Sequence, residues 1–490
     1  MTAIHELGAL DLWRLLHARE LSAVEVAEHF LDRIERLDDA NAIVHVDGEL
    51  ALERARAVDG ADDRTGLIHG LPFADKDLTR RAGQPATLGS RWQADAVADT
   101  TDPVARVLDD AGGVVLGRSA SPELGFAGYT RSALHGPTTL PGHPGLHAGG
   151  SSGGAAAAVA QGLVPFAPGS DGGGSIRIPA ATCGLVGLKP TRGRIPAQGG
   201  VGQVGGLTTA GAIGRSVMDV ALLTDALIGR VNGVTPYELV LRSPEHDDGS
   251  LLAAAVRGEG RFRIAVLRGT PWDATHDIRI APEATAAVDA TIAALTAFGH
   301  EVGEVAMPDA SGFLGIESYA EAFTALWRGG AATVPIARED RHLLEPLARW
   351  IIDSSDELSA GGLATAQLWA TELERRVLAA FAPWDAVLTP ATALTPRPLD
   401  WYPTDDGRAD FDAQVRHTPH TSFVNMTGLP AIALPVHRTA PTADGDALPM
   451  GVQLIGRPGE EATLLAIGRQ LERRIPWTQR VVTRMRPSAR

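Results

Sequence analysis

The stretch from Gly149 to Arg177 constrains the fold more than any other part of the chain. It opens on Gly149-Gly150-Ser151-Ser152-Gly153-Gly154, passes through an alanine-rich segment, and closes on Gly169-Ser170-Asp171-Gly172-Gly173-Gly174-Ser175-Ile176-Arg177. Alanine is the strongest helix former, so Ala155 to Gly162 predicts a short helix ended by glycine. Leu163 to Ala167 predicts a short strand after it. Glycine lets a backbone take positive φ and approach other groups closely. A loop of consecutive small residues can also turn several N–H groups toward one point and form a nest for an anion. Acyl transfer needs such donors where an oxygen becomes negative. The stretch reads either as a serine nucleophile beside its oxyanion hole or as two flexible Gly/Ser turns.

A second feature is a depletion. Of 44 basic residues, only Lys76 and Lys189 are lysine. Arginine replaces lysine wherever a permanent charge is enough, but not where the amine must lose its proton. Each lysine is therefore a candidate for a position where the amine matters, the alternative being that the slimmer stem is needed for packing. Lys76 follows Gly70-Leu71-Pro72-Phe73-Ala74 and lies in Asp75-Lys76-Asp77. That is either a strand end carrying an amine between two carboxylates or a solvated charge cluster.

The rest of the chain is read by periodicity. Residues 7–17 and 22–37 have the spacing of amphipathic helices, the second opened by Ser22 with Glu25 three residues on, a capping box. Further helices are expected over 49–58, 102–110, 215–228, 282–298 and 460–473, and strands over 41–46, 113–117, 263–267 and 386–389. Residues 315–380 are mostly helical and border the substrate cavity. The loop Ser119–Thr139 holds Leu124, Phe126 and Tyr129, which line a pocket or simply a surface loop. Strands alternating with helices through glycine turns imply a largely parallel sheet covered on both faces. No internal repeat is seen, which favours one domain over 1–490.

Composition excludes several classes. A net charge of −15 argues against non-specific binding to nucleic acid or anionic membranes. Cys183 is the only cysteine, so no intramolecular disulfide and no Cys-only zinc site is expected. There is no apolar run of about 18 residues and no basic-then-apolar signal at the N-terminus, so a cytoplasmic location is the expectation. H-E-x-x-H is absent, and Pro144 and Gly145 between His143 and His147 argue against a helical metal pair. Nucleotide-binding glycine motifs are absent as well.

Gly149 to Gly153 matches the loose G-x-S-x-G pattern of a Ser-His-Asp hydrolase. Yet His246, His276, His300, His342, His417, His420 and His437 stand in no distinctive context, and Lys76 and the second loop would have no role. The remaining set is Lys76, Ser151 and Ser175. A serine hydroxyl needs a base. Lysine serves only if neutral, so its reference pKa near 10.4 must fall by roughly 3 units, at about 4 kcal/mol, which burial can impose. A second hydroxyl can relay the proton to a lysine too distant for direct contact.

The runs Gly149–Gly154, Gly169–Ala180 and Cys183–Thr191 together resemble the amidase signature family. The match is specific over about 149–194 and looser at Ala74–Asp77 and Phe423–Pro430. The spacing, 75 residues from Lys76 to Ser151 and 24 more to Ser175, is similar too. The resemblance implies an α/β/α sandwich around a large twisted mixed β-sheet and a Ser–cis-Ser–Lys triad. Ser175 is then the nucleophile, Ser151 (after a cis peptide) the proton relay and Lys76 the general base. The N–H groups of Gly172, Gly173, Gly174 and Ser175 form the oxyanion hole, and Gly125 and Phe126 join them in binding substrate. No cofactor and no metal are implied. The implied partners are a small-molecule amide and water, neither nucleic acid nor membrane, with a homodimer left open. The implied activity is hydrolysis of a carboxylic amide, or of an ester or carbamate, through an acyl-enzyme. The alternative within the family is the glutaminase subunit of a glutamyl-tRNA amidotransferase. Three positions depart from the common pattern: Gly172 where threonine is frequent, Arg118 where lysine is frequent, and Ile178 where that amidotransferase subunit usually has glutamine. Trp327, Trp350 and Trp369, with Phe126 and Tyr129, hint at an apolar acyl pocket, core packing being the alternative.

Overall fold

The computed structural model describes residues 2–62, 64–196, 204–229, 250–441 and 447–477. Two sheets form its frame. The smaller contains β1 (Ile43–Val46), β2 (Pro72–Lys76) and β3 (Val114–Ser119) in the order β1-β3-β2, with β2 parallel and β1 antiparallel to β3. The larger contains β4 (Phe166–Asp171), β5 (Val186–Lys189), β6 (Thr209–Gly214), β7 (Arg263–Val266), β8 (Glu301–Glu304), β9 (Ala386–Pro390), β10 (Ala431–Arg438) and β11 (Pro449–Gly456). Its order is β8-β7-β9-β11-β10-β5-β6-β4. Only β7 runs parallel to its neighbours, β8 and β9. The other pairings are antiparallel. The expectation of a largely parallel sheet is thereby corrected to the mixed sheet that the resemblance implied. Strands β5 and β6, and β10 and β11, follow each other in sequence and pair antiparallel, so the strand–helix alternation breaks there.

Side chains on successive strand residues point to opposite faces, and here both faces are covered. Ile264, Val266, Leu388, Ile432 and Leu454 enter one core with the helices Val217–Ile228, Pro282–Ala297 and Glu461–Arg474. The alternating Ala265, Val387, Ala431 and Ile455 enter a second core with Phe323 and Leu326 of helix Tyr319–Ala331 and Trp369 and Leu373 of helix Ala360–Phe381. This is the α/β/α sandwich.

The alanine helix, Gly153–Ala160, is buried along its whole length and packs against β2 and β3 of the small sheet and β4 and β6 of the large one. Only a helix this slim fits there. A Cβ on Gly154 would lie 2.6 Å from the carbonyl oxygens of Ala120 and Ala42. The strand after it starts at Phe166, three residues later than expected, and runs on through Gly169-Ser170-Asp171. Its full-length pairing with β6, from Phe166 opposite Gly214 to Asp171 opposite Thr209, overrides the low strand propensity of those residues. At the N-terminus the Ser22 capping box forms: Ser22 Oγ accepts from the Glu25 N–H at 3.1 Å, and Glu25 Oε2 accepts from the Ser22 N–H at 2.9 Å. Among the described residues no helix is long and apolar enough to cross a membrane.

Candidate active site

Lys76 ends β2 where it meets β4, and it is buried. Its Nζ donates to Ser151 Oγ at 2.7 Å, to Ser170 Oγ at 3.0 Å and to Ser170 O at 3.4 Å. Burial lowers its pKa from 10.5 to about 7, with the Asp171 carboxylate pulling weakly the other way. The amine is therefore close to half neutral near neutral pH. The flanking acids are not solvated either. Asp75 is held by Arg81 and, at 3.6 Å, by Arg118, and Asp77 accepts from the Gly89 N–H at 2.9 Å and from Thr87 Oγ1 at 2.5 Å. The solvated-cluster alternative is overturned, and Arg118 is accounted for as the partner of Asp75. Lys189 is equally buried, with its pKa also lowered to about 7, chiefly by burial. It donates to the Pro190 carbonyl at 2.9 Å and lies outside the cavity that Lys76 lines.

Ser151 sits where the chain turns into the alanine helix. The Gly150–Ser151 peptide is cis, and Gly149 has φ of 76°. Glycine is required at 150, since a Cβ would fall 2.5 Å from the Tyr129 carbonyl. The two Gly/Ser loops are stitched together: the Ser152 N–H donates to Ser175 O at 3.1 Å, and Ser152 Oγ donates to Ser170 O at 3.4 Å. They are ordered loops rather than flexible turns. Lys76, Ser151 and Ser175 line one cavity of about 320 Å³, together with Ser170, Gly125, Phe126 and Gly172.

The second loop is shaped by Asp171. Its carboxylate accepts from the N–H groups of Gly174 at 2.7 Å and Ile176 at 3.1 Å, and from Arg177 Nε at 2.9 Å and Nη2 at 2.8 Å. Asn425 Nδ2 adds a bond at 3.0 Å. Burial alone would raise the Asp171 pKa, but the Arg177 guanidinium and these donors hold it well below the usual carboxylate range. Arg177 is fixed in turn by Asn425 Oδ1 at 2.6 Å, the Thr421 carbonyl at 3.0 Å and Gln453 Oε1 at 2.5 Å. One of the four expected donors, the Gly174 N–H, thus already has a partner in Asp171. The amides of Gly172, Gly173 and Ser175 make no hydrogen bond among the described residues and stay available. At Gly172, a Cβ would lie 3.1 Å from Thr208 Oγ1, and Thr208 lines the cavity, so a hydroxyl stands there on another strand end.

Leu124, Gly125 and Phe126 line the cavity, but Tyr129 does not. Its hydroxyl donates to Asp410 at 2.7 Å and its ring stacks on Tyr402 at 4.1 Å. Of the three tryptophans only Trp327 reaches the cavity. Trp369 is core, and Trp350 packs on Phe411. No histidine lines the cavity among the described residues, which removes the Ser-His-Asp reading, and His246 lies outside those residues. Periodicity could not find Asn425 and Thr421, which reach the loop from almost 250 residues away. Asp171 and Arg177 stood in the matching run but carried no signal of their mutual pairing.

The chain is similar to known amidases along nearly its whole length. A family model for amidases matches residues 25–465. The Mycobacterium tuberculosis protein named "Putative amidase AmiB2" is 37% identical over 478 residues, covering 96% of this chain and 97% of its own length. A glutamyl-tRNA(Gln) amidotransferase subunit from Burkholderia pseudomallei is 32% identical, over 97% and 98% respectively. Among solved structures, a 6-aminohexanoate cyclic dimer hydrolase superposes with a TM-score of 0.81 at 28% identity, covering 97% of this chain and 98% of that one. The fold and the relatives define a class, enzymes that hydrolyse amide carbon–nitrogen bonds. Within that class the chain belongs to the amidase signature family.

Proposed function

We propose that this chain hydrolyses a carboxylic amide with Ser175 as nucleophile, Ser151 as proton relay and Lys76 as general base. The observation that carries the reading is the Lys76 amine, buried, depressed to about pKa 7 and 2.7 Å from Ser151 Oγ. The neutral amine takes a proton from Ser151 as Ser151 takes one from Ser175, whose oxygen attacks the carbonyl carbon. The amides of Gly172, Gly173 and Ser175 receive the developing oxyanion. As the tetrahedral intermediate collapses, the proton on Lys76 returns through Ser151 to the leaving nitrogen, and the amine departs from an acyl-enzyme. Water then repeats the sequence and releases the acid. Esters and carbamates enter by the same steps. The reading takes the 490 residues as one amidase unit, acting in the cytoplasm without a cofactor.

A second reading, a glutaminase subunit feeding ammonia to a partner, is motivated by the amidotransferase relative. Two assays test the pair. Ser175→Ala should lower turnover of an aryl amide such as a 4-nitroanilide by at least about 10³-fold, and unchanged turnover removes the nucleophile assignment. Aryl amide turnover by the isolated chain, with no ammonia released from glutamine, rejects the second reading.

A further inference from the structure

Ser175 stands between two cavities. The larger holds Lys76 and Ser151. The smaller, about 60 Å³, shares only Ser175, Phe126 and Trp327 with it among the described residues and contains neither proton-transfer group. From this division we infer that the small cavity is the acyl subsite and selects short, uncharged, apolar acyl groups, while the larger one takes the amine part. The inference rests on the proposed roles of Ser175, Ser151 and Lys76.

Direction comes first. The leaving nitrogen must receive its proton from Ser151, so it lies on the Ser151 side, in the larger cavity. The carbonyl oxygen lies toward the free loop amides. The remaining substituent of the carbonyl carbon is the acyl group, and the space left for it at Ser175 is the small cavity, which Gly173 also borders.

Size and chemistry follow from the wall. Trp272, Phe323, Phe411, Val415 and Ile178 surround the small cavity. Its rings interlock, with Phe323 stacked on Trp327 at 5.4 Å, Trp272 edge-on to Phe323 at 5.5 Å and Trp272 edge-on to Phe411 at 6.2 Å. The side chains of Gln414, Thr418 and Ser422 in the wall are committed elsewhere, and the buried Trp327 Nε1, a neutral donor, is the one indole N–H there without a partner among the described residues. Gln414 accepts from the Gly128 N–H at 2.7 Å and donates to Asp410 at 2.9 Å. Thr418 Oγ1 donates to the Gln414 carbonyl at 3.0 Å. Ser422 Oγ accepts from Trp272 Nε1 at 3.1 Å and from the Tyr319 hydroxyl at 2.9 Å. Among the described residues no lining side chain is ionisable. An acyl group bearing an ammonium and a carboxylate, as in glutamine, would be desolvated there without a counter-charge for either group. The same wall therefore disfavours the glutaminase reading, and Ile178, in place of the glutamine usual in that subunit, is part of it.

The test is a series of N-acyl 4-nitroanilides with straight acyl chains from acetyl to decanoyl, read as kcat/KM on the intact chain, with glutamine alongside. The expected profile rises over the first carbons and then falls by at least about tenfold once the chain outgrows the cavity, the scale of discrimination a hydrophobic pocket achieves. Phe411→Ala, at a half-buried ring, should move the optimum to a longer chain. A flat profile, a decanoyl optimum in the parent chain or measurable glutamine turnover would each overturn the subsite. A wrong chain-length profile with turnover still abolished by Ser175→Ala condemns only the subsite. Turnover that survives Ser175→Ala condemns the proposed mechanism itself.

Discussion

Replacing Lys76 by arginine keeps the charge and removes the basicity, so it isolates what the buried amine contributes. A pKa lowered from 10.5 to about 7 corresponds to a net penalty of about 5 kcal/mol on the protonated form, burial outweighing the pull of Asp171. In kinetic terms, about half of the amines are neutral at pH 7, against about one in 3,000 for an unperturbed lysine. A guanidinium has no useful neutral fraction in this range. Lys76→Arg is expected to lower kcat on a 4-nitroanilide by about 10²- to 10⁴-fold, the range for loss of a general base. In the parent chain kcat/KM should rise with pH through about 7, lying about tenfold below its plateau at pH 6. Because Lys189 is depressed to the same value, Lys189→Met is the control. It should retain the limb that Lys76→Arg abolishes. A limb near pH 9–10 in the parent, or a Lys76→Arg enzyme within fivefold of it, would refute the argument. The same burial predicts a gain in stability. The unfolded chain holds a proton that the folded chain has released between about pH 7 and 10.5, so the Lys76 contribution becomes less unfavourable as pH rises through that window. Lys76→Met should therefore stabilise the inactive protein most at and below pH 7, by about 5 kcal/mol less the hydrogen bonds given up. The gain should fade toward pH 10.5, and urea denaturation at several pH values measures it.

Two further perturbations probe the frame around the site. Asp171→Asn leaves the buried Arg177 guanidinium without its charge partner and should cost about 3–5 kcal/mol by chemical denaturation, a loss under 1 kcal/mol counting against Asp171 as the hub of the loop. Gly154→Ala places a methyl group against the Ala120 N–H and the Ala120 and Ala42 carbonyls, and it should cost about 1–3 kcal/mol or more, read as a drop in Tm. A neutral outcome would mean that the alanine helix is not wedged between the two sheets.

The sequence by itself determined the parts of this protein whose cause is local. Two Gly/Ser runs around an alanine helix, a capping box at Ser22, and a lysine kept at 76 in a chain that otherwise uses arginine each carry their reason within a few residues. Through resemblance, these were enough to indicate the family and to single out Lys76, Ser151 and Ser175. The tertiary structure decided what depends on distant partners. Strand β4 extends through Gly169 to Asp171 because β6 supplies its hydrogen bonds, and the sheet is mixed because neighbouring strands reverse. The Gly174 amide donates to Asp171, which is held in place by Arg177 and by Asn425 from the far end of the chain. Which aromatics wall the small cavity was also beyond the sequence, since Trp327, Trp350 and Trp369 are alike in local pattern and differ only in what folds against them. Local conformational preference is written in neighbouring residues; burial, and with it the lowered pKa of Lys76, exists only once the two sheets close around it.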